Sequence, residues 1–479
     1  MTPEPSAGAA SGGAVRWRAV LALLVGTFTG TLLNNIVNVP LRSMVRGLHV
    51  PVTEGALVVT SFNLSFAVLM PLTGWLGDRV GRRRLFCWAV LTVAAGALGA
   101  MAAPSLGLLV VCRVVQGAGT AAILPTVMGL LNDLHSRDQV GLVLGMWAAM
   151  NGLGRAVAAP LGGAITSAMS WRWVFVPAVP LAGLALLGAL LFVPAGRGSD
   201  RPLEWRGALS LTAGCGLIIT AATAVPESGL TSAPVLVLAL CGVLLLGVFV
   251  RGSRRRRNPF IDPALLAEPS YVRSSLAAFA QMFCLSAALL AVPLYLTHAA
   301  GSTASRAGLI LFALPGTMVV LGPVTGSVVR RLGARRILRL GMALLIAAQV
   351  TLVLVLDTAG GALAELIPAL VLDGVGAALV QTPAAVGATR SAAGRVGSGL
   401  GLFNLLRFTG AAFGTAWVAI ALGAGHGGDT AVFVVCGGLA GLGLAATWAG
   451  RSAPRRLDAA SAPAGLRASA AEPPVESGV

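Results

Sequence analysis

Long uncharged runs of apolar residues recur along the chain and constrain its fold more than any other feature. Residues 85–103, 235–250 and 431–449 each approach the ~20 residues that a helix needs to cross ~30 Å of hydrocarbon. Lipid offers no hydrogen bonds, so such runs must form helices or a closed barrel. Barrel strands would alternate apolar and polar residues, and these runs do not. The sequence therefore predicts an all-α integral membrane bundle.

The chain carries enough apolar runs for 14 transmembrane helices. The predicted spans are residues 19–41, 55–76, 85–103, 106–131, 140–166, 173–194, 207–225, 233–250, 274–297, 307–328, 338–356, 364–387, 398–422 and 430–449. The predicted units are a cytoplasmic segment 1–18, an N-terminal six-helix half 19–194, a linker 195–206, an extra helix pair 207–250, a basic cytoplasmic loop 251–273, a C-terminal six-helix half 274–449 and a disordered cytoplasmic tail 450–479.

The composition excludes an ordinary soluble protein. Hydrophobic residues make up 56% of the 479 residues and charged residues 11%, with a mean hydropathy of +0.85. A soluble chain of this length would need more charge to cover its surface. Arg16 and Arg18 precede an apolar stretch that is too long for a cleavable signal, so we expect it to remain as the first span.

The basic residues exclude several classes of enzyme. All 34 are arginine, and without lysine the chain has neither a P-loop nor a Schiff-base residue. The four histidines, His49, His135, His298 and His426, fall in loops or at span ends without metal-ligand or triad spacing. We therefore expect no enzyme activity, no metal site and no cofactor.

The distribution of the arginines explains the net charge of +17 without nucleic acid. If the N-terminus is cytoplasmic, 27 arginines lie inside, four lie outside and three lie within spans. The positive-inside rule then places both termini in the cytoplasm. The run 254–257 is typical of an anchor near anionic lipid, and it has neither the fold nor the aromatic residues of a DNA-binding segment.

An internal repeat divides the chain into two similar halves. Residues 74–84 (GWLGDRVGRRR) follow the second span, and residues 326–336 (GSVVRRLGARR) follow the tenth. The fourth span carries QGAG at 116–119, and the twelfth carries DGVG at 373–376. Two six-helix halves in the same orientation therefore flank the extra pair, an arrangement typical of alternating access.

Five motifs occur in order along the chain: GWLGDRVGRRR at 74–84, RVVQGAG at 113–119, WRWVF at 171–175, PLYL at 293–296 and RFTG at 407–410. In this order they resemble the motifs of the major facilitator superfamily, specifically its fourteen-helix drug:proton antiporter branch. The resemblance extends over nearly all of residues 20–449. It implies a secondary transporter of small molecules, with these motifs controlling its conformational change.

The loop after the second span is the first candidate for a conformational element. Gly74 and Gly81 permit a tight turn, and Asp78 lies beside Arg79 and Arg82. A carboxylate there can pair with arginine or cap a helix N-terminus, which would latch one conformation. The alternative is a loop whose arginines only fix topology.

Small residues and a proline mark two further candidate elements. In the fourth span, Gly117 and Gly119 belong to the motif at 113–119 and are candidates for conformational change through the resemblance. In the fifth, AAPLGG at 158–163 departs from the antiporter pattern by shifting Pro160 one position relative to Gly162 and Gly163, while small residues over 141–154 permit close packing of helices. The proline should bend this helix near its outer end, and the span suggests antiport.

Polar residues within spans are the candidates for the substrate or proton path. Ionisable groups inside a membrane are costly and usually functional, although structural pairing is the alternative. In the first span, polar residues from Thr27 to Asn38 recur at helical spacing and predict a stripe that faces a cavity or a neighbouring helix. The candidates are Thr31, Asn34, Asn35, Asn38, Arg113, Gln116, Arg155, Asp373 and Arg407.

One departure from the antiporter branch concerns the proton site. That branch usually carries an aspartate in the first span just before an Ile-Val-Asn-Val segment, where this chain has Asn34 and Asn35. Asp373, which the repeat pairs with Gln116, then becomes the best candidate for carrying a proton, and we expect Asp373 and Arg113 to approach the central cavity. The alternative is that Asp373 neutralises a buried arginine. Glu54 and Asp78 come next.

These features predict a proton-driven exporter of small amphipathic compounds, such as antibiotics or secondary metabolites, across a bacterial plasma membrane. The expected partners are the lipid bilayer, the substrate and protons, without nucleic acid, and a monomer should suffice. The same fold could instead import an anionic metabolite, with Arg113, Arg155 and Arg407 as receptors. A non-transporting sensor or channel is a further alternative. The pair 207–250 is expected to be peripheral, with too little polar content to line a path.

Overall fold

The computed structural model describes most of the chain between residues 16 and 448. The described residues are 16–196, 198, 204–255, 259–261, 264–298, 304–357, 363–389, 396–423 and 428–448. The predicted disordered tail 450–479, residues 1–15 of the predicted N-terminal segment, and Arg256 and Arg257 of the basic run lie outside them.

The described residues form α-helices and one short 3-10 helix at Trp171–Phe175. The α-helices are α1 (Trp17–Asn35), α2 (Leu41–Leu48), α3 (Val52–Val80), α4 (Arg82–Met101), α5 (Leu106–Leu134), α6 (Arg137–Ala168), α7 (Ala178–Phe192), α8 (Trp205–Ser228), α9 (Ala233–Arg255), α10 (Ala264–Ala267), α11 (Pro269–His298), α12 (Ala304–Leu311), α13 (Ala313–Leu332), α14 (Ala334–Asp357), α15 (Leu363–Thr389), α16 (Val396–Gly423) and α17 (Gly428–Ala446).

The predicted all-helical membrane architecture is confirmed. Thirteen helical segments in the described part of the chain are long and apolar enough to cross a membrane, and α17 contains a shorter apolar helix at Thr430–Ala446. Many large apolar side chains remain exposed along them, for example Leu240 and Leu244 on α9. On a membrane-spanning helix such side chains face lipid, which is as apolar as the protein interior.

The first predicted span is longer than the helix that the structure contains. Residues 19–41 were expected to be one helix, but α1 ends at Asn35 and residues 36–40 form a turn before α2. Pro40 is the last residue of this turn and lacks the N–H that a continuing helix requires. Asn38 therefore lies beyond α1, and the helical spacing of the polar stripe ends one turn earlier than the sequence suggests.

The two copies of the repeated loop have the same backbone geometry. Gly81 after α3 has φ +97°, and Gly333 after α13 has φ +86°. In both loops the glycine N–H closes the helix by donating to a carbonyl four residues earlier, that of Gly77 or Val329. A side chain would strain either position, because positive φ favours glycine.

Helices α6 and α13 pack backbone against backbone. A Cβ added to Gly141 or Gly145 on α6 would overlap the carbonyl of Gly326 or Gly322 on α13, and the reverse holds for both α13 glycines. Small residues allow such close approach in membranes, where packing rather than hydrophobic burial holds helices together. This glycine seam joins the N-terminal half (α1–α7) to the C-terminal half (α11–α17).

Candidate substrate cavity and gating motifs

A cavity of about 550 Å³ lies between the two halves. Its walls come from the second half of α1, the first half of α3, the middle of α5 and α6, and from α8, α11 and α16. The cavity therefore lies toward the end of the bundle where α1 ends and α3 begins, which we call the first end. The polar lining residues are Thr31, Asn34, Asn35, Asn38, Thr60, Asn63, Thr120, Asn151, Arg155, Thr223, Ser286 and Thr415.

The four candidates from the predicted polar stripe all line this cavity. Thr31 Oγ1 lies 3.3 Å from Asn151 Oδ1 on α6, and Asn34 Nδ2 donates to Asn63 Oδ1 on α3 at 3.2 Å. Asn35 Nδ2 donates to the Thr31 carbonyl at 2.8 Å, and Asn38 reaches the cavity from the turn after α1. The stripe thus combines both alternatives from the sequence, since its members face a cavity and also bond to neighbouring helices.

Arg155 is the one charged side chain among the described residues that line the cavity. Its Nη2 lies 3.7 Å from the thioether sulfur of Met282 on α11. Thioether sulfur is a weak acceptor, and no described carboxylate forms an ion pair with this guanidinium. Leu64, Phe66, Leu289 and Phe408 supply apolar wall opposite these polar groups.

The expectation that residues 207–250 are peripheral is wrong for α8. Ile219 and Thr223 on this helix line the cavity, while α9 packs against α8 on the outside of the bundle. The sequence pointed away from α8 because its polar residues are few. A cavity for amphipathic compounds also needs apolar wall, and Ile219 supplies it.

Arg113 and Gln116 do not line the cavity, contrary to the expectation for Arg113. Arg113 Nε donates to the Val58 carbonyl at 2.9 Å, and Nη1 donates to the Leu33 carbonyl at 3.0 Å and to Gln116 Oε1 at 2.8 Å. Its guanidinium carbon lies 4.2 Å from the centre of the Phe62 ring. Backbone carbonyls, an amide oxygen and an aromatic face hold this buried cation, although Nη2 has no hydrogen-bond partner among the described residues, so Arg113 joins α1, α3 and α5.

Asp373 also faces away from the cavity. It is 1% exposed, and its Oδ1 accepts a bond of 3.1 Å from Gln349 Nε2 on α14, while Oδ2 has no hydrogen-bond partner among the described residues. The alternative that it neutralises a buried arginine is wrong for the described residues, because its partner is an amide. Gln116 bonds in the same way to the neighbouring helix, with Nε2 donating to the Gly96 carbonyl of α4 at 2.9 Å.

Arg407 lies in a buried polar cluster that borders the cavity. Its Nη1 lies 3.4 Å from Asn404 Oδ1, and its guanidinium carbon lies 5.2 Å from the ring centre of Trp147 and 5.1 Å from that of Phe408. Nε and Nη2 have no hydrogen-bond partner among the described residues. Phe408 also lines the cavity, so Arg407 lies directly behind the cavity wall.

The predicted latch lies at the opposite end of the bundle, where α3 ends and α16 begins, which we call the second end. The side chain of Asp78 lies against Gly397, the second residue of α16, so closely that a Cβ there would overlap the carboxylate. Arg82 Nη2 bonds to Asp78 Oδ1 at 3.0 Å, and Arg82 Nη1 also contacts Asp133 on α5. Arg82 therefore has a second carboxylate partner besides Asp78.

Gly74 and Arg79 of the same motif also make contacts at the second end. A Cβ added to Gly74 would overlap the Gly397 carbonyl, and Arg79 lies 5.2 Å from the Trp75 ring centre. Gly401 on α16 approaches the Met70 carbonyl in the same way. These contacts close the second end of the bundle, so the cavity in this structure belongs to a state that is closed there.

Glycines on α5 and α6 set the distances between helices in the N-terminal half. Gly117 packs against the Phe62 carbonyl of α3, and Gly119 against the Ala89 carbonyl of α4. Gly162 packs against the Ile36 carbonyl after α1, whereas a Cβ on Gly163 would meet only Val39 at 3.6 Å. Pro160 lies inside α6. We assign these residues to helix packing, and their part in the transport cycle stays a prediction.

Within the described residues, no three histidine, cysteine, aspartate or glutamate side chains gather where they could hold a metal ion. The described cavity lining contains none of these residue types. The described lining of the cavity can bind a ligand through amides, hydroxyls, apolar surface and the guanidinium of Arg155.

A helical membrane bundle with a central cavity that is closed at one end defines a transporter of small molecules rather than an enzyme. The chain belongs to the Major Facilitator Superfamily, whose sequence profile matches residues 21–415 and 274–475. It is therefore a multi-pass membrane transporter, and its surroundings include the lipid bilayer and a small-molecule substrate.

Several characterised relatives are resistance or efflux proteins. The chain is 32% identical over 414 residues to the puromycin resistance protein pur8 of Streptomyces alboniger, covering 84% of this chain and 80% of that protein. It is 29% identical over 403 residues to the drug efflux pump JefA of Mycobacterium tuberculosis, covering 83% and 79%. These relatives support drug efflux as its function.

The fold is also found in a solved structure. The human organic anion transporter MFSD10 (TETRAN) matches with a TM-score of 0.69 at 17% identity, covering 91% of this chain and all of that one. At this identity the likeness concerns the fold alone.

Proposed function

We propose that this protein exports small amphipathic compounds, antibiotics or secondary metabolites among them, across the bacterial plasma membrane in exchange for protons. The observation that carries this proposal is the cavity between the halves, whose wall combines apolar side chains with amides and hydroxyls. Such a lining suits compounds with an aromatic or aliphatic body and a few polar groups. The names of pur8 and JefA agree with this class of substrate.

We further propose fourteen membrane spans, with α17 as the last, arranged as two pseudo-symmetric halves that work as a monomer. The equivalent helices α5 and α15 support the pseudo-symmetry. Gly117 of α5 packs against α3, and Gly374 of α15 packs against α13, so each glycine contacts the helix two positions earlier in the chain. The arginine distribution supports cytoplasmic termini, which makes the first end extracellular. The cavity would then face outward, with the latch of Asp78 on the cytoplasmic side.

Proton coupling is the part of the proposal that rests on Asp373. Its carboxylate is buried, bonds to Gln349 and has no cationic partner among the described residues. A carboxylate in such surroundings can take up and release a proton as its neighbours move during the conformational cycle. A proton gradient would then be the energy source, with no cofactor.

Everted membrane vesicles from a host lacking its own pumps test the export. Energised vesicles should accumulate a compound to which the protein confers resistance, and a protonophore should abolish the accumulation. Ala412→Trp fills the cavity and should remove export, whereas Val320→Trp lies on an exposed face of α13 and should retain it. Equal activity of the two variants at matched abundance would contradict the assignment of the cavity.

The alternative is that the same cavity imports an anionic metabolite. Arg155 favours this alternative more than any other residue, because it is a cation without a described anionic partner. The direction of flux separates the two functions, since an importer concentrates its substrate in right-side-out vesicles. A sensor or channel would show no accumulation in either orientation.

A further inference from the structure

The electrostatics of the cavity give the first indication of what it binds. Among the described lining residues, Arg155 is a full positive charge and no carboxylate is present. The other polar groups are amides and hydroxyls, which are neutral. A cation inside a membrane is costly unless an anion or strong acceptor compensates it, and the thioether of Met282 is neither.

A second uncompensated cation lies immediately behind the cavity. Arg407 is 1% exposed, its Nε and Nη2 are unpartnered among the described residues, and its charge is close enough to that of Arg155 for the two to repel. Two guanidinium groups that repel each other, with no described carboxylate paired to either, raise the electrostatic potential at this part of the site. An anionic ligand would therefore compensate the charges of Arg155 and Arg407.

Several polar side chains around Arg407 have hydrogen-bonding atoms without a partner among the described residues. The indole Nε1 of Trp147 and both amide atoms of Gln281 and Gln381 lack a partner among the described residues. Together with Arg407 they line a small gap that is too narrow for water. Buried polar groups are seldom left unpaired, so a cluster of several needs an explanation.

The position of this cluster supplies that explanation. Trp147 belongs to α6 of the N-terminal half, while Gln281, Gln381 and Arg407 belong to the C-terminal half. The cluster lies on the side of the cavity that faces the closed second end, since Gln281 precedes Met282 and Arg407 precedes Phe408 of the cavity wall. When the halves separate at that end, these groups become the wall of the path.

We propose that the exported compounds carry an acidic group, which Arg407 and its neighbours bind from the second end and which Arg155 binds in the cavity seen here. This inference rests on the proposed export and names its substrate class. The carboxylate of the compound, or a comparable oxyanion, would accept hydrogen bonds from the free N–H groups of Arg407 and then from those of Arg155. A cationic compound would meet two like charges and no counter-ion.

Matched naphthalene compounds test this inference by binding and by transport. Naphthylacetate, naphthylacetamide and naphthylethylammonium share an aromatic body and carry negative, zero and positive charge. Binding to the purified full chain in detergent should be at least about tenfold tighter for the acid than for the amide. Arg155→Gln should abolish that difference and Arg155→Lys should retain it, while Arg46→Gln, an exposed arginine outside the cavity, should match the wild type.

The Arg407 cluster requires a variant that is less disruptive than removal of the arginine. Trp147→Phe deletes the indole N–H but keeps an aromatic ring beside Arg407. It should slow export of naphthylacetate several-fold and leave export of naphthylacetamide unchanged. Slowing of both compounds to the same extent would overturn the assignment of the cluster to the acidic group.

The outcomes separate this inference from the export proposal. If the ammonium or the amide is exported and the acid is bound no more tightly, the substrate class is overturned and export stands. If the acid binds in an Arg155-dependent way but no compound is exported, the substrate class stands and export fails. An acid preference that survives in Arg155→Gln also overturns the inference.

Discussion

At the residue scale, the three arginines within spans have different surroundings. Arg113 makes three bonds, to two carbonyls and a glutamine, and only its Nη2 is unpartnered among the described residues. Arg155 has a thioether partner, and Arg407 has one amide partner and two unpartnered nitrogens. A cation held by several acceptors contributes to structure, and one with few acceptors is available for a ligand. Sequence position alone does not distinguish them, since all three lie within apolar runs.

We expect Asn35→Asp to shift the selectivity of the cavity toward cationic compounds. The change places a carboxylate in the same cavity as Arg155, in the segment where the drug:proton branch usually carries an acid. Compensation of the guanidinium should weaken binding of acids by about tenfold. Competition binding with the naphthalene series measures the shift, and Asn35→Gln, which adds no charge, is the control. Unchanged selectivity in the aspartate variant would place the decisive charge elsewhere.

We expect Asp373→Asn to uncouple transport from the proton gradient. Asparagine preserves the shape and the bond to Gln349 but removes the titrating group. The variant should lose accumulation against a gradient by about tenfold or more, yet keep energy-independent exchange of substrate between vesicles and medium. If it still concentrates substrate and still responds to a protonophore, the proton is carried by another residue, with Glu54 and Asp78 next.

At the scale of elements, the structure changes the physical reason for the importance of Asp78. Its carboxylate lies at the N-terminus of α16, where the helix dipole stabilises negative charge by about 1 kcal/mol, and this contact joins the two halves. Arg82 contacts both Asp78 and Asp133, so it keeps a carboxylate partner when either one is neutralised. A neutral side chain at position 78 therefore removes the negative charge at the N-terminus of α16.

We expect Asp78→Asn to impair transport while leaving membrane insertion intact. Loss of about 1 kcal/mol shifts the ratio of closed to open second ends roughly fivefold. Asp133→Asn is the matched control, because Asp133 bonds to the same arginine within the N-terminal half. Export at equal membrane abundance provides the measurement. Equal loss in both variants would assign the effect to Arg82 instead of to the start of α16.

We expect bulky substitution on α8 to impair transport, in contrast to α9. Thr223→Trp places an indole in the cavity, whereas Leu240→Trp on α9 replaces one exposed apolar side chain by another. The first variant should lower export of large substrates by about tenfold, since loss of cavity volume excludes them. The second should lie within about twofold of the wild type. The reverse order of effects would remove α8 from the cavity.

At the scale of the whole molecule, the glycine seam between α6 and α13 joins the halves along the bundle. Gly145 and Gly322 each approach the other's backbone so closely that a methyl group would displace it. We expect Gly145→Val to destabilise the present state by about 1–3 kcal/mol, as overpacking does. Reactivity of a cysteine placed at Thr415 toward a membrane-impermeant maleimide should change with it. Gly183→Val, at a site on α7 with open space, should leave that reactivity unchanged.

The membrane class, the approximate positions of the helices and the loop glycines of the repeat follow from the amino-acid sequence alone. Apolar runs of the right length leave few alternatives in lipid, and Gly81 and Gly333 end their helices through a local backbone requirement. The sequence also predicted the polar stripe on α1, because helical spacing defines which residues share a face.

Which neighbouring helix each helix face contacts depends on how the helices pack together. This packing turned Asp373 and Gln116 toward α14 and α4 instead of the cavity, brought α8 into the cavity wall and set Asp78 against α16. These contacts join residues far apart in the chain, and they depend on the rotation and packing of whole helices. The periodicity of a single helix contains no information on that packing, which is why the site was only partly predictable.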